Sequence, residues 1–422
     1  MRRAVALRAT RVSKKVGVND QRLVYRPEPS NMDTSEAFLG LECAETGERY
    51  DADATGASDA GAHLVPAYDY DAVDWADGGL SDRPTDTMWR YADLLPFGSP
   101  LTAKEGGTPL VESAELADEV GVGSLGIKDE GRNPTGTVLD RGLSPAVTAA
   151  REAGAELVAL ASAGNAGQSA ASYASMADIR SYSFVPSRAP FSNKAMVNVH
   201  GGEMRVVGGR YPDAEAGLHE QLKSEWHTLQ EFDNPYRHDG IKTLAFEVAE
   251  SRGWETPDAV VVPSSTGEVV AGVFAGFEAL SELGLTAEVP PIFAAQASGC
   301  APIAAARERG DEDVKAWDQP DTIVGELEIP DPKGGAAAID AVESSGGDTL
   351  ALDDEDILES AVVAAQTAGV EVGTAGGAAM AAAWRLAEDG VLGEGDDVVV
   401  VNTESGTKTA DVLRSHLMGQ GI

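Results

Sequence analysis

The sequence predicts an α/β protein in which parallel sheets are covered by helices on both faces. Three times along the chain, a continuous apolar run ends in a loop of small polar residues, and helical stretches rich in Ala or Val alternate with these runs. Uninterrupted apolar strands are typical of parallel sheets buried on both sides, whereas half-exposed sheets alternate apolar and polar residues. Strands that alternate with helices along the chain favour the same architecture.

The three strand-and-loop units define a candidate ligand cleft. They are strand 156–161 with loop 162–165, strand 259–262 with loop 263–267, and strand 398–401 with loop 402–406. Ligands of such sheets lie beyond the carboxyl ends of the strands, so we expect the three loops to meet at one cleft. A helix that starts after each loop would favour an anionic ligand there. The alternative is that the loops only connect strands to helices.

Composition and charge narrow the classes of function. The chain has 422 residues, 43% hydrophobic and 24% charged, which excludes a disordered or collagen-like polymer and suits one to three globular domains. A net charge of -37 argues against nucleic-acid and anionic membrane partners. Scarce lysine and abundant carboxylate predict a halophilic protein, with a merely acidic protein as the alternative. Two cysteines cannot form a disulfide framework and no apolar run could span a membrane, so we expect a soluble, cytoplasmic protein.

The first 31 residues differ in composition from the rest of the chain. They carry eight basic and two acidic side chains, a local charge of +6, and lack the apolar run of a secretory signal. We therefore expect Met32 to be the translation start and residues 1–31 to be disordered or never made. Two acidic stretches, 51–79 and 308–331, are predicted to be surface excursions or linkers.

One segment carries a specific family resemblance. Residues 128–142, KDEGRNPTGTVLDRG, resemble the signature of threonine synthases, which are fold-type-II enzymes that use pyridoxal 5'-phosphate. Other segments agree in order between residues 89 and 411; they are WRYADLLP with EGGTPLV, SAGNAGQSAASYA, NPYRHDGIKTLAFE, VVPSSTGEVVAG and VNTESGTKTAD. The resemblance implies a tryptophan synthase β-like core over 81–422, with two parallel-sheet lobes around a central cleft. It also implies a smaller lobe nested at about 142–240 and a homodimer.

A segment before the core, residues 32–80, resembles the small zinc ribbon of many family members. In that ribbon four cysteines hold the metal, but this chain keeps only Cys43, with His63 nearby. A structural zinc site needs four ligands in nearly every case. We therefore expect a degenerate ribbon without metal, and we expect no metal elsewhere.

The residue that the family's chemistry needs most is replaced. The resemblance implies a lysine directly before Asp-Arg-Gly, which forms a Schiff base with the cofactor and then moves protons. Here the residue before Asp140 is Leu139, which can do neither. Lys128 and Lys408 are the alternative amines, although both match family positions where the lysine does not bind the cofactor.

The resemblance also assigns the remaining cofactor contacts. Asn165 would face the cofactor's 3-hydroxyl and Thr403 its pyridine nitrogen. The phosphate cup would be formed by Ser264, Ser265, Thr266 and Gly267. Glycine suits such a cup best because it permits unusual dihedral angles and close approach, so the side chains of Ser265 and Val269 are expected to weaken phosphate binding.

Four residues are implied as substrate contacts: Ser162, Asn234, Arg237 and Lys242. In threonine synthases this pocket accepts O-phosphohomoserine, and a guanidinium such as that of Arg237 suits a bidentate phosphate contact. The competing interpretation is that Arg237 forms an ion pair with Asp239 or Glu247.

These observations lead to one hypothesis and two rivals. The first is a threonine synthase-like pseudoenzyme of amino-acid metabolism, which binds pyridoxal phosphate noncovalently, an amino acid or a phosphorylated ligand, or acts on an active relative. The second is a working lyase that makes threonine from O-phosphohomoserine with a displaced lysine or an external amine. The third is a purely structural partner, whose melting temperature no such ligand would raise.

Overall fold

The computed structural model describes residues 32–75, 79–311 and 313–419. The hypothesis about residues 1–31 lies outside the described residues. Thirteen strands run through the described ranges; they are β1 (Phe38–Cys43), β2 (Arg49–Tyr50), β3 (Leu64–Tyr68), β4 (Leu110–Glu112), β5 (Ser124–Asp129), β6 (Leu157–Ala161), β7 (Arg180–Val185), β8 (Glu203–Val206), β9 (His227–Thr228), β10 (Ala259–Pro263), β11 (Ile292–Ala297), β12 (Thr349–Leu352) and β13 (Asp397–Asn402).

Helices alternate with these strands through most of the chain. The α-helices of the described ranges are α1 (Ala114–Val120), α2 (Leu139–Glu152), α3 (Asn165–Met176), α4 (Phe191–Val199), α5 (Tyr211–Gln221), α6 (Tyr236–Ile241), α7 (Thr243–Ser251), α8 (Glu268–Glu282), α9 (Pro302–Arg309), α10 (Gly335–Ser345), α11 (Asp354–Ala368), α12 (Thr374–Glu388) and α13 (Ala410–Gly419). Within the described part of the chain, no helix is long and apolar enough to cross a membrane.

Two parallel sheets form the core, as the sequence predicts. The larger has the strand order β12-β11-β10-β13-β5-β4, and all neighbours are parallel except the edge pair β4 and β5. The smaller has the order β8-β7-β6-β9 and is parallel throughout. Every residue of β6 and β10 is buried, which explains why their sequences are uninterrupted apolar runs. The predicted α/β fold with two parallel sheets is confirmed.

A small antiparallel sheet precedes the core. Its order is β2-β1-β3, and Cys43 at the end of β1 is buried. The prediction that 51–79 is only a surface excursion is wrong for part of its length. Strand β3 pairs with β1 along its whole length, and buried Trp75 packs edge-on against Phe246 of α7. The apolar side chains among the Asp and Gly residues anchor this segment to the core.

The second predicted excursion, 308–331, is also wrong in its later half. Val324, Leu327 and Ile329 are each at most 3% exposed, and Leu327 and Ile329 line a cavity of about 90 Å³. The acidic residues around them determine the composition of the segment. The apolar residues determine where it lies.

Candidate functional site

The loops after β6, β10 and β13 meet at one cavity of about 90 Å³, as the sequence predicts. Residues from all three loops line it, among them Ser162, Asn165, Ser265, Thr266 and Thr403. Helices α3 and α8 begin directly at the first two loops, at Asn165 and at Glu268. The third loop continues into a 3-10 turn, and α13 begins only at Ala410, so the expected helix start after this loop is displaced.

Leu139 lines this cavity at the first residue of α2. The loop before it is held by Asp140, whose carboxylate accepts hydrogen bonds from the Thr135 amide and hydroxyl, both at 2.7 Å. The Val138 amide donates to the Thr403 carbonyl at 2.9 Å, which ties this loop to the loop after β13. These bonds hold the backbone around position 139 where its side chain lines the cavity. Within the described chain, no lysine lines the cavity.

Two of the lysines considered from sequence lie elsewhere. The Lys128 ammonium donates to Glu247 at 2.6 Å and to the Thr108 carbonyl at 2.7 Å, in a buried ion cluster outside the cavity. The Lys242 ammonium pairs with Asp239 at 2.5 Å and lies 3.8 Å from the ring centroid of Tyr68. Neither residue lines the cavity, so the structure does not bring Lys242 together with the other predicted substrate contacts.

Lys408 is the amine nearest to the cleft by its hydrogen-bond connections. Its ammonium donates to Gln168 at 2.7 Å and to Asn193 at 3.2 Å, and Asn193 donates to Asn165 at 3.1 Å. Lys408 lines an adjoining pocket of about 160 Å³, which shares Glu326 with the cavity that Leu139 lines. Burial lowers the pKa of Lys408, and the nearby Glu404 carboxylate opposes that effect.

Asn165 has a partner that sequence reasoning missed. Its amide nitrogen donates to Glu404 at 2.5 Å, and Glu404 is only 1% exposed. Burial, together with the charge of Glu326, raises the pKa of Glu404 to about 8. Glu404 directly follows Thr403, so its place in the third loop was the available signal. Both polar atoms of Asn165 are thus engaged by the chain itself.

The loop after β10 ends in a carboxylate that also went unrecognised. Gly267 has φ +88°, and a Cβ there would lie 2.3 Å from the Gly334 carbonyl oxygen, so this turn requires glycine. The next residue, Glu268, is the first of α8 and 2% exposed. One of its carboxylate oxygens accepts from Arg237 at 2.7 Å, and the other has no hydrogen-bond partner among the described residues.

Arg237 lines the cavity, and both of its terminal nitrogens are paired, whereas its Nε has no hydrogen-bond partner among the described residues. One terminal nitrogen donates to the Leu229 carbonyl at 2.8 Å and to Glu231 at 3.3 Å, and the other donates to Glu268. The prediction of an ion pair with Asp239 or Glu247 is therefore wrong in its partners, because α6 turns this side chain towards α8. The guanidinium faces two carboxylates of its own chain.

Of the remaining predicted contacts, Ser162 lines the cavity, whereas Asn234 and Ser264 are buried outside its lining. The Ser162 hydroxyl lines the cavity and accepts from the Gly164 and Gly167 amides at 2.9 Å each, which closes the loop before α3. Asn234 is fully buried outside the lining; its side chain donates to the Thr228 carbonyl and accepts from the Tyr236 amide, both at 3.1 Å. Ser264, in the loop after β10, is buried and does not line the cavity.

The family match and the similar curated proteins both indicate a pyridoxal-phosphate-dependent enzyme family. A family described as "Pyridoxal-phosphate dependent enzyme" matches residues 101–404. Threonine synthase of Methanosarcina acetivorans is 32% identical over 86% of this chain and 90% of its own length. Threonine synthase of Methanocaldococcus jannaschii is 31% identical over 87% of this chain and 93% of its own length.

Solved structures share the fold. A fungal L-serine ammonia-lyase from Rhizomucor miehei matches with a TM-score of 0.65 and 19% identity, over 75% of this chain and 99% of its own. Maize serine racemase matches with a TM-score of 0.62 and 20% identity, over 75% of this chain and 94% of its own. At these identities the similarity concerns the fold alone.

Proposed function

We propose a function from one premise: the chain belongs to the threonine synthase family of pyridoxal-phosphate-dependent enzymes. The protein is a threonine synthase-like protein of amino-acid metabolism that binds a small molecule in its cleft without the family's lysine chemistry. The observation that supports this proposal is that Leu139 lines the cavity, directly before Asp140-Arg141-Gly142, where the sequence resemblance implies the family's lysine. An amine at that position is what forms the imine and moves protons, and leucine supplies neither function.

Pyridoxal phosphate is the cofactor that the family match and the relatives indicate. The residues of this cleft do not fit it in its lysine-bound form. Leu139 offers no amine, the carboxylate of Glu268 stands at the end of the predicted phosphate loop, and Asn165 is engaged by Glu404. What remains can bind and orient a ligand through the hydroxyls of Thr266 and Thr403.

A second candidate function rests on Lys408. Burial lowers the pKa of Lys408, which favours the neutral amine relative to an exposed lysine, and Asn193 links it to Asn165. In that case the protein would be an active lyase with a displaced lysine. To reach the cavity that Leu139 lines, the Lys408 amine would have to break its hydrogen bonds to Gln168 and Asn193. This requirement favours the first proposal, a protein without the family's lysine chemistry.

The test restores the missing amine. We expect the Leu139→Lys variant, treated with pyridoxal and then borohydride, to carry a pyridoxyl group on residue 139 in peptide mass mapping. The Leu139→Met variant, matched in size but without an amine, should carry none. Wild-type protein should release no inorganic phosphate from O-phosphohomoserine in the presence of pyridoxal phosphate.

Two results would refute the proposal. Release of phosphate by the wild-type protein, abolished by Lys408→Arg, would establish the displaced-lysine enzyme. An unlabelled residue 139 in a folded Leu139→Lys variant would mean that this position does not face a ligand site. Pyridoxal is the probe because it lacks the phosphate group, so the outcome does not depend on the state of the phosphate loop.

A further inference from the structure

We infer that the cleft takes an unphosphorylated ligand through an ammonium group, with the carboxylate of Glu268 as the counter-charge. This inference rests on the proposed function, because it names the class of ligand for that same cleft. It follows from three features of the loop after β10 and of the Arg237 side chain beside it.

The first feature is the charge balance around Arg237. Arg237 is 2% exposed, and its guanidinium faces the carboxylates of Glu231 and Glu268, both of which are buried and line the cavity. Glu231 is fully engaged, since one oxygen accepts from Tyr211 at 2.8 Å and the other accepts from Gln230 and Arg237. Two carboxylates against one guanidinium leave an excess negative charge at this end of the cleft.

The second feature is an unused acceptor. Within the described residues, one carboxylate oxygen of Glu268 is buried and has no hydrogen-bond partner, although the residue lies on the cavity wall. Buried polar atoms in folded proteins are nearly always paired, so such an atom needs an explanation. An ammonium group carries three N–H donors and a positive charge, and it would satisfy the acceptor and balance the excess charge together.

The third feature is that the same pattern recurs at Glu326, which lines the cavity, and at Glu404 in the loop after β13. Glu326 and Glu404 each have one buried carboxylate oxygen without a partner among the described residues. Burial raises the pKa of both groups and that of Glu268, so each loses its proton less readily than an ordinary carboxyl group, and a bound ammonium group would favour the ionised form. The facing charges are Lys408 beside Glu404 and Glu326, and Arg237 beside Glu268 and Glu231. Carboxyl groups therefore outnumber basic side chains around the cleft, and Glu268, Glu326 and Glu404 each have an acceptor oxygen that the described residues leave unused.

The same features disfavour a phosphate group. The N-terminus of α8 attracts anions because of the helix dipole, but the side chain of Glu268 in the first turn already occupies that role. The terminal nitrogens of Arg237 are committed to Glu231, Glu268 and the Leu229 carbonyl, so a bidentate phosphate contact would require breaking those pairs. A phosphate dianion would in addition meet the carboxylates already present.

Isothermal titration calorimetry tests the inference at fixed ionic strength. The probes are 1,4-diaminobutane, the neutral isostere 1,4-butanediol, and inorganic phosphate. We expect the wild-type protein to bind the diamine but neither the diol nor phosphate. The Glu268→Gln variant should bind the diamine at least tenfold more weakly and should gain measurable affinity for phosphate.

A matched control separates this effect from general damage. Glu250 also pairs with an arginine, Arg90, but lies outside the cleft, so the Glu250→Gln variant should keep wild-type affinities. A Glu268→Gln variant that is folded by circular dichroism but loses the diamine without gaining affinity for phosphate would overturn the inference. Equal diamine affinities in wild type and Glu268→Gln, no diamine binding by wild type, or phosphate binding by wild type would also overturn it. None of these outcomes depends on the labelling of residue 139, so the two proposals fail separately.

Discussion

Replacing Glu404 with glutamine should change how the stability of the protein depends on pH. Glu404 is buried, and in the folded protein its pKa is about 8 against an ordinary value of 4.5. Glutamine keeps an oxygen that can accept the hydrogen bond from Asn165 but carries no titrating proton. The Glu404→Gln variant therefore removes the titration while the fold and the hydrogen bond are retained.

The sign and size of the effect follow from linkage. Between about pH 4.5 and pH 8 the unfolded chain has released the Glu404 proton, whereas the folded protein still holds it. The stability from this group is complete below pH 4.5 and is lost as the pH rises through 8. The difference between the two pKa values corresponds to about 5 kcal/mol of unfolding free energy, since each pKa unit is worth about 1.4 kcal/mol.

Urea unfolding at intervals between pH 5 and pH 9, at constant salt, measures this difference. Wild-type stability should fall by up to about 5 kcal/mol relative to the Glu404→Gln variant across this range. Taking the difference between the two proteins cancels the contribution of the large net charge, which both share. The Glu203→Gln variant, in which an exposed carboxylate is removed, should follow the wild-type curve. Parallel curves for wild type and Glu404→Gln would refute the assignment of a raised pKa to this residue.

Three further predictions concern the fold. Arg141→Met should lower the unfolding free energy by about 3–5 kcal/mol in urea titrations, because it leaves the buried Glu130 and Glu247 carboxylates without their guanidinium; a loss below 1 kcal/mol would contradict this. Gly240→Ala should lower the unfolding free energy by about 1–3 kcal/mol, because the new Cβ would lie 2.0 Å from the Arg141 carbonyl oxygen. Gly393 has open space around it, so Gly393→Ala should lower the unfolding free energy much less in the same assay. Raising KCl from ~0.1 M to ~1 M should raise the melting temperature of this chain of net charge -37, since the screening length falls from about 10 Å to about 3 Å; an unchanged melting temperature would count against salt adaptation.

The fold could be predicted because its signals are local and regular. Strands β6, β10 and β13 are continuous apolar runs, and the structure places each within about one residue of the predicted bounds. Their loops meet at one cavity because parallel strands present their carboxyl ends at the same edge. The segment around Leu327 was misplaced because the average composition of 308–331 is acidic, whereas a few apolar positions decide its burial.

The candidate site could be predicted only in part. Loop positions such as Ser162, Asn165 and Thr403 follow from the strand ends, but the pairing of side chains across the cleft does not. Glu268 and Arg237 are 31 residues apart in sequence, and Asn165 and Glu404 are 239 apart. Nothing in the order of residues indicates that an acidic side chain in a polar loop will turn inward and meet a distant partner.

The most direct measurement of the central claim is a labelling experiment on the unmodified protein. Wild-type protein is incubated with pyridoxal phosphate, reduced with borohydride, digested and mapped by mass. The account predicts no stoichiometric phosphopyridoxyl group on Lys408, the amine nearest to the cleft, and no more than scattered partial labelling of exposed lysines. A stoichiometric adduct on Lys408 would contradict it and would establish a working enzyme with a displaced lysine.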